Sequence, residues 1–122
     1  MSSLIMLKSK LHNATVTGAE PDYEGSLKID SQLMDAVKLR PYEKILVANL
    51  ANGNRFETYA IKGEPGSGTI CLNGATCFLG AAGDRIIIFA FCSVTEEEAA
   101  SHRPFILVLD KNNKPTGPLK QV

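Results

Sequence analysis

The stretch KILVANLANGNRFETYAI, residues 44–61, reads as two strands around a turn. Lys44 to Leu50 is the outgoing strand and Arg55 to Ile61 the return. Asn52-Gly53 between them is the strongest hairpin signal in the chain, because the favoured two-residue turn needs positive φ at both central positions. On the return strand Arg55 and Tyr59 stand four residues apart and share a face, while Thr58 points to the other.

Working outward, short apolar runs and turn residues alternate. Leu4 to Leu7 opens a strand that reaches toward His12, and Ala14 to Thr17 continues it or begins another. Gly18 to Gly25 is turn chemistry, with two glycines, a proline and acidic residues. Leu27 to Ile29 is a short strand. Asp30 caps a short helix whose apolar stripe is Leu33, Met34 and Val37, and Arg40-Pro41 ends it. Beyond the hairpin, Gly63 to Gly68 is a loop, Thr69 to Leu72 a strand and Asn73-Gly74 a second tight turn. Arg85 to Phe91 is apolar at nearly every position, which predicts burial on both faces. Thr95-Glu96-Glu97-Glu98 fits a capping box. Phe105 to Leu109 is a last strand, and the polar tail reads as mobile from about Lys114. Seven or so short strands with glycine turns and two short helices predict one compact, mainly β barrel domain over residues 1–122.

The chain has 122 residues, 44% hydrophobic and 21% charged, with 13 basic against 13 acidic side chains. That balance carries no electrostatic footprint for nucleic acid or an anionic membrane. The three cysteines, Cys71, Cys77 and Cys92, are odd in number and lack a Cys-x-x-Cys, which argues against a disulfide framework or a zinc site. The longest apolar run, Ile86 to Cys92, is too short to cross a bilayer. The N-terminus lacks the regions of a secretion signal. The expected location is the cytoplasm.

Gly25-Ser26, inside YEGSLKID (residues 23–30), is the pair that carries chemistry. A serine hydroxyl can attack the carbonyl of its own preceding peptide bond and convert that amide to an ester. Glycine before it has no Cβ and tolerates the strained backbone this needs. β-Elimination then leaves dehydroalanine and releases the upstream fragment, and hydrolysis gives ammonia and a pyruvoyl ketone. Alone, Gly-Ser is a common turn dipeptide.

Four segments stand in register with it: KLH at Lys10 to His12, YEGS at Tyr23 to Ser26, NGNRFETYAI at Asn52 to Ile61, and NGA at Asn73 to Ala75. Together, over Met6 to about Leu109, they resemble the aspartate 1-decarboxylase family, pyruvoyl-dependent enzymes that make β-alanine for pantothenate and coenzyme A. The resemblance implies a double-psi β-barrel and self-cleavage between Gly25 and Ser26 into residues 1–25 and 26–122. It also implies a homotetramer with active sites at subunit interfaces. The implied cofactor is the pyruvoyl group from Ser26, with no metal and no pyridoxal phosphate. A maturation factor is left open as a partner.

A pyruvoyl ketone condenses with the amine of L-aspartate as a Schiff base and accepts electrons as CO2 leaves. Arg55 suits a carboxylate anchor, since its planar fork binds carboxylate in two places. Lys10 is a second cation on the substrate, and His12, on the same strand face, assists binding or proton traffic. Tyr59, in the family's proton-donor position, reprotonates the substrate carbon. The family uses Thr58 near the cleavage site, which calls for a local distortion of the strand or for residues from two subunits. Asn73, Gly74 and Ala75 offer amide groups to the cofactor or the substrate carboxylate. The chain departs from the family at Thr76-Cys77, where alanines are familiar, at Ala48, where some members carry a bulky aromatic, and at Gly18, where a side chain is often present. Two other readings stand beside this one: an amidohydrolase with Ser26 as a free N-terminal nucleophile, and a non-catalytic barrel that binds a ligand and never cleaves.

Overall fold

A computed structural model describes residues 3–120. The start of the N-terminal segment and the end of the tail lie outside that range. The architecture is mainly β. In chain order the strands are β1 (Ser3–Thr15), β2 (Gly18–Glu20), β3 (Leu27–Asp30), β4 (Lys44–Asn49), β5 (Arg55–Gly63), β6 (Ile70–Asn73), β7 (Arg85–Thr95) and β8 (Phe105–Val108). Helix α1 (Ser31–Ala36) follows β3, a 3-10 helix (Gly74–Leu79) follows β6, and α2 (Glu96–Ala99) follows β7. Hydrogen bonding links the strands in the order β2-β6-β3-β5-β4-β7-β1-β8.

The hairpin forms where the sequence places it, but its loop is residues 50–53 and Asn52 is not at positive φ, so Asn52-Gly53 is not the two-residue turn expected. Gly53 takes φ +77°, Asn49 N–H reaches Asn54 O at 2.8 Å, and β4 pairs β5 in unbroken register from Lys44↔Tyr59 to Ala48↔Arg55. Both expected helix starts are also present. Asp30 accepts from Gln32 N–H at 2.9 Å, and Thr95 and Glu98 close a reciprocal capping box. Asp30 does more than cap. Its second oxygen accepts from Gly68 N–H at 2.9 Å and its first from Gly66 N–H at 3.0 Å, which ties the loop after β5 to the start of α1.

Four further sequence expectations need correction. Gly18–Glu20 is not only turn: it pairs in parallel with Cys71–Asn73 of β6. Asn73-Gly74 opens a 3-10 helix rather than a bare turn. Helix α1 stops at Ala36, before Arg40-Pro41, because Lys38 takes φ +61°. Strand β7 is not buried on both faces: Ile86, Ile88 and Ala90 are in the core, while Ile87 and Phe89 are half-buried and Phe91 is exposed. The tail is bonded back along β8, with Thr116 N–H to Val108 O at 2.9 Å and Lys120 N–H to Ile106 O at 2.8 Å.

The core is one cluster: Leu11, Val16, Leu27, Ile29, Ile45, Val47, Ile70, Leu72, Ile86 and Ile88 are among its members, with Leu33, Met34 and Val37 from the α1 segment. Leu27 and Ile29 bury β3 between β5 and β6. Burying each large aliphatic side chain there stabilises the fold by roughly 1.5–3 kcal/mol relative to leaving it in water. The residue just before this buried pair, Ser26, is thereby fixed at the mouth of two ladders.

Candidate active site

Register alone sets the first half of the site. Leu27 pairs with Ala60 on β5 and with Leu72 on β6. One step upstream, Ser26 therefore lies beside Tyr59 on one side and Asn73 on the other. Asn73 N–H donates to Ser26 O at 3.1 Å. A Cβ built on Gly25 would come 3.6 Å from the Tyr59 hydroxyl oxygen.

The backbone here is unusual. Gly25 has φ +27° and Ser26 φ +86°. For serine the second value is strained, a state that costs about 1–3 kcal/mol and persists only where the surroundings enforce it. The surroundings do so through Gly74, itself at φ +61°: a Cβ there would stand 2.7 Å from Gly25 N and 3.0 Å from Tyr23 O. Only glycine lets the YEGS segment cross so close to the 3-10 helix. Ser26 is 1% exposed, and its hydroxyl is buried without a hydrogen-bond partner, as is Asn73 Nδ2. A buried polar atom without a partner costs about 1–3 kcal/mol. Both orphans belong to residues the sequence singles out for chemistry.

Asn73 is oriented from behind. The Cys71 thiol donates to Asn73 Oδ1 at 3.4 Å, which leaves Nδ2 as the free end. Burial, and then Glu20, push the Cys71 thiol pKa up, so the donor keeps its proton. Thr76 Oγ1 donates to Asn73 O at 2.6 Å and lies 3.4 Å from Ser26 O.

A second cluster lies elsewhere. Lys10 Nζ stands 5.7 Å and Arg55 Cζ 5.9 Å from the centroid of the Phe89 ring, so β1, β5 and β7 bring these two cations to one aromatic platform. Ala48 faces Arg55 across the hairpin and adds only a methyl beside it. His12, half-buried on β1, lines a cleft of about 320 Å³ with Lys10, Ile106, Val108 and Lys120. Its Nδ1 is buried and without a partner. Burial first, then Lys10, Lys120 and Arg85, lower its pKa.

The structure thus brings together Gly25, Ser26, Tyr59, Asn73 and Gly74, and separately Lys10 and Arg55. It does not bring the two groups together within one chain. Arg55 and Tyr59 are four residues apart on a regular strand, about 13 Å along its length. Thr58 pairs with Ile45 and turns to the half-buried face, away from Tyr59, with no local distortion of the register. Ala75 is exposed. Sequence reasoning missed the Phe89 platform, the Cys71 thiol behind Asn73, and the position of Thr76 over Ser26 O. Among the described residues no group of three or more His, Cys, Asp or Glu could hold a metal ion.

Comparison with known proteins gives one consistent answer. A family model described as Aspartate decarboxylase matches residues 2–116. A protein from Clostridium acetobutylicum named Aspartate 1-decarboxylase is 53% identical over 110 residues, covering 90% of this chain and 87% of its own. One of the same name from Caldicellulosiruptor saccharolyticus is 55% identical over 109 residues, 89% of this chain and 85% of its own. A third, from Chlorobium limicola, is 52% identical over 112 residues, 92% and 88%.

Proposed function

The chain belongs to the aspartate decarboxylase family, and from that premise we propose that it matures by breaking its own Gly25-Ser26 bond and decarboxylates L-aspartate with the pyruvoyl group that results. The activity is that of a carboxy-lyase: the α-carboxylate leaves as CO2 and β-alanine, a precursor of pantothenate and coenzyme A, remains. The observation that carries the maturation reading is the Ser26 hydroxyl, buried and unpartnered beside a glycine in left-handed backbone.

The residues present fit a pyruvoyl group at position 26. Asn73 N–H already holds the carbonyl that would flank the ketone, and the free Asn73 Nδ2 is available to the ketone side. When formed, the group supplies the electron sink for loss of the carboxylate. The chain's own side chains do the rest. Arg55 and Lys10 take the two carboxylates of the substrate, the guanidinium through paired hydrogen bonds. Tyr59, whose hydroxyl lies by Gly25, gives its proton to the substrate carbon after CO2 has left. His12, neutral because its pKa is lowered, stays a proton acceptor near Lys10. Thr58, turned away from Tyr59 on an undistorted strand, assists maturation in a neighbouring copy of the chain. Gly74 and Ala75 border the substrate at the start of the 3-10 helix.

The separation of the cations from Ser26 supports a homotetramer with each active site at a subunit interface, where Lys10 and Arg55 of one copy meet Ser26 and Tyr59 of another. Exposed apolar side chains, Ile5 at 72%, Tyr42 at 78% and Phe78 at 81%, are further support for assembly.

Intact mass of the larger fragment tests the proposal. A pyruvoyl terminus lacks the amine of serine and differs from it in mass, which separates this reading from the N-terminal-serine hydrolase. Borohydride together with L-aspartate is expected to fix a covalent adduct at position 26. A fragment with an intact N-terminal serine, or activity that follows added pyridoxal phosphate, overturns it.

A further inference from the structure

Position 76 is threonine, and its hydroxyl lies at the atom that matters most for the end of maturation. Thr76 is buried, 8% exposed. Its Oγ1 has one hydrogen and two acceptors within reach: Asn73 O at 2.6 Å and Ser26 O at 3.4 Å. Ser26 O also receives Asn73 N–H at 3.1 Å. With both carbonyls neutral, the nearer oxygen holds the hydrogen.

We propose that Thr76 is a catalytic residue of self-cleavage, its hydroxyl turning from Asn73 O to Ser26 O as negative charge gathers there. This rests on the reading of Gly25-Ser26 as the maturation bond. After the shift from nitrogen to oxygen, the Gly25 acyl group sits on Ser26 Oγ as an ester. Elimination then breaks the Cα–H and Cβ–Oγ bonds of residue 26. Water takes the proton, the C–H electron pair becomes the Cα=Cβ bond, and the Cβ–Oγ pair leaves with the Gly25 carboxylate. The α-proton is acidic only so far as its electron pair can spread onto the neighbouring carbonyl. That carbonyl is Ser26 C=O.

Two donors aimed at it, one fixed and one able to turn, make an oxyanion site that binds the charged state better than the neutral one. Only such differential binding accelerates a step. The fixed donor comes from the backbone and serves any residue at position 76. The turning donor depends on the side chain at position 76, and it acts on the second half of maturation, not on the attack by Ser26, whose charge develops on Gly25 O instead.

Hydroxylamine separates the two halves, because it splits the ester and leaves the amide. The readout is the share of uncleaved precursor that neutral hydroxylamine converts to residues 1–25 and 26–122, followed by intact mass. That share rises whenever elimination slows, whichever step limits the whole. Removing one donor from an oxyanion site typically costs about 10²–10³ in rate. With Asn73 N–H retained, Thr76→Val is expected to release the upstream fragment about tenfold more slowly or worse, with ester accumulating. Thr76→Ala, which is smaller and cannot clash, is expected to show the same sign, and Thr76→Ser to mature like the wild type. Wild-type rates without extra ester in Thr76→Val and Thr76→Ala overturn the inference. Slow cleavage without ester overturns it too, since Thr76 would then only hold the turn through Asn73 O. A wild-type chain that never releases residues 1–25 overturns the maturation reading itself, and the inference with it.

Discussion

Ser26 is 1% exposed, while Arg55 opens β5 on an exposed strand end. The pocket around Ser26 is made largely of backbone: positive-φ conformations at the consecutive Gly25 and Ser26 and at Gly74 facing them, and ladders on both sides of β3. The cationic cluster is made of long side chains resting on Phe89. Among the described residues neither Lys10 nor Arg55 is in an ion pair, although Lys8 and Lys44 are. The difference suits two tasks. On the proposed maturation, a bond that breaks once, without help from a substrate, needs its strain and its donors in place beforehand. A cluster that must accept and release a dicarboxylate in every cycle needs charge without a resident partner.

If the pocket is backbone-built, changes there should abolish maturation outright. Ser26→Ala is expected to leave an uncleaved, inactive chain on a denaturing gel. It removes an unpartnered buried hydroxyl, so its thermal midpoint is expected not to fall. Gly74→Ala places a Cβ 2.7 Å from Gly25 N at φ +61°. Overpacking of this kind costs about 1–3 kcal/mol, and the YEGS segment must shift to relieve it. Cleavage is expected to be lost or slowed severely in a chain that still folds, by gel and circular dichroism. Normal cleavage in Gly74→Ala would show that the close crossing is not needed.

Tyr59 stands between the two regions, on the strand of Arg55 but with its hydroxyl near Gly25. Tyr59→Phe keeps the ring and is expected to cleave itself normally. Turnover to β-alanine is expected to fall by about 10²–10⁴-fold, the usual contribution of a positioned acid. Some turnovers are expected to convert the pyruvoyl group to alanine, visible in the intact mass. Wild-type turnover with an intact group would move the proton donor to His12 or a water.

These effects follow from contacts of very different legibility. The hairpin's place was readable because turn residues stand between two strand-like runs, though its loop is longer than the two-residue Asn-Gly turn, and the two helix starts were readable because Asp30 and Thr95 have one local partner each. Gly18–Glu20 was not readable as a strand: it is three residues long and exists only because Cys71–Asn73 runs alongside it. The apolar string of β7 concealed that Phe89 supports cations on one face while Ile86 and Ile88 fill the core on the other. Ser26 and Tyr59 could be singled out by chemical type and by resemblance. Thr76 could be noted only as a departure, since its meaning lies in a carbonyl 50 residues away.

On the cationic side the effects are expected to be smaller and confined to binding. Arg55→Ala is expected to mature like the wild type. Losing a charge-assisted hydrogen bond costs about 1.5–3 kcal/mol, so KM for aspartate is expected to rise roughly ten- to hundredfold. A cleavage defect in this variant would break the division between the two regions, and unchanged kinetic constants would remove Arg55 from the site.

The smallest effect belongs to His12, and its sign is fixed by its surroundings. Burial, Lys10, Lys120 and Arg85 all lower its pKa from the ordinary 6.5. The unfolded chain therefore binds a proton at a higher pH than the folded one does. Whatever stability this difference confers is fully present above 6.5 and is lost as pH falls through the lowered folded value. In that window the thermal midpoint of the wild type is expected to fall with pH more steeply than that of His12→Gln, which has no charge to gain. The same substitution spares the pocket around Ser26, so Gly25-Ser26 cleavage is expected to proceed as in the wild type. Identical pH slopes for the two proteins would mean that neither burial nor the charges of Lys10, Lys120 and Arg85 disfavour protonated His12 in the fold, and a cleavage defect would make His12 part of the other region.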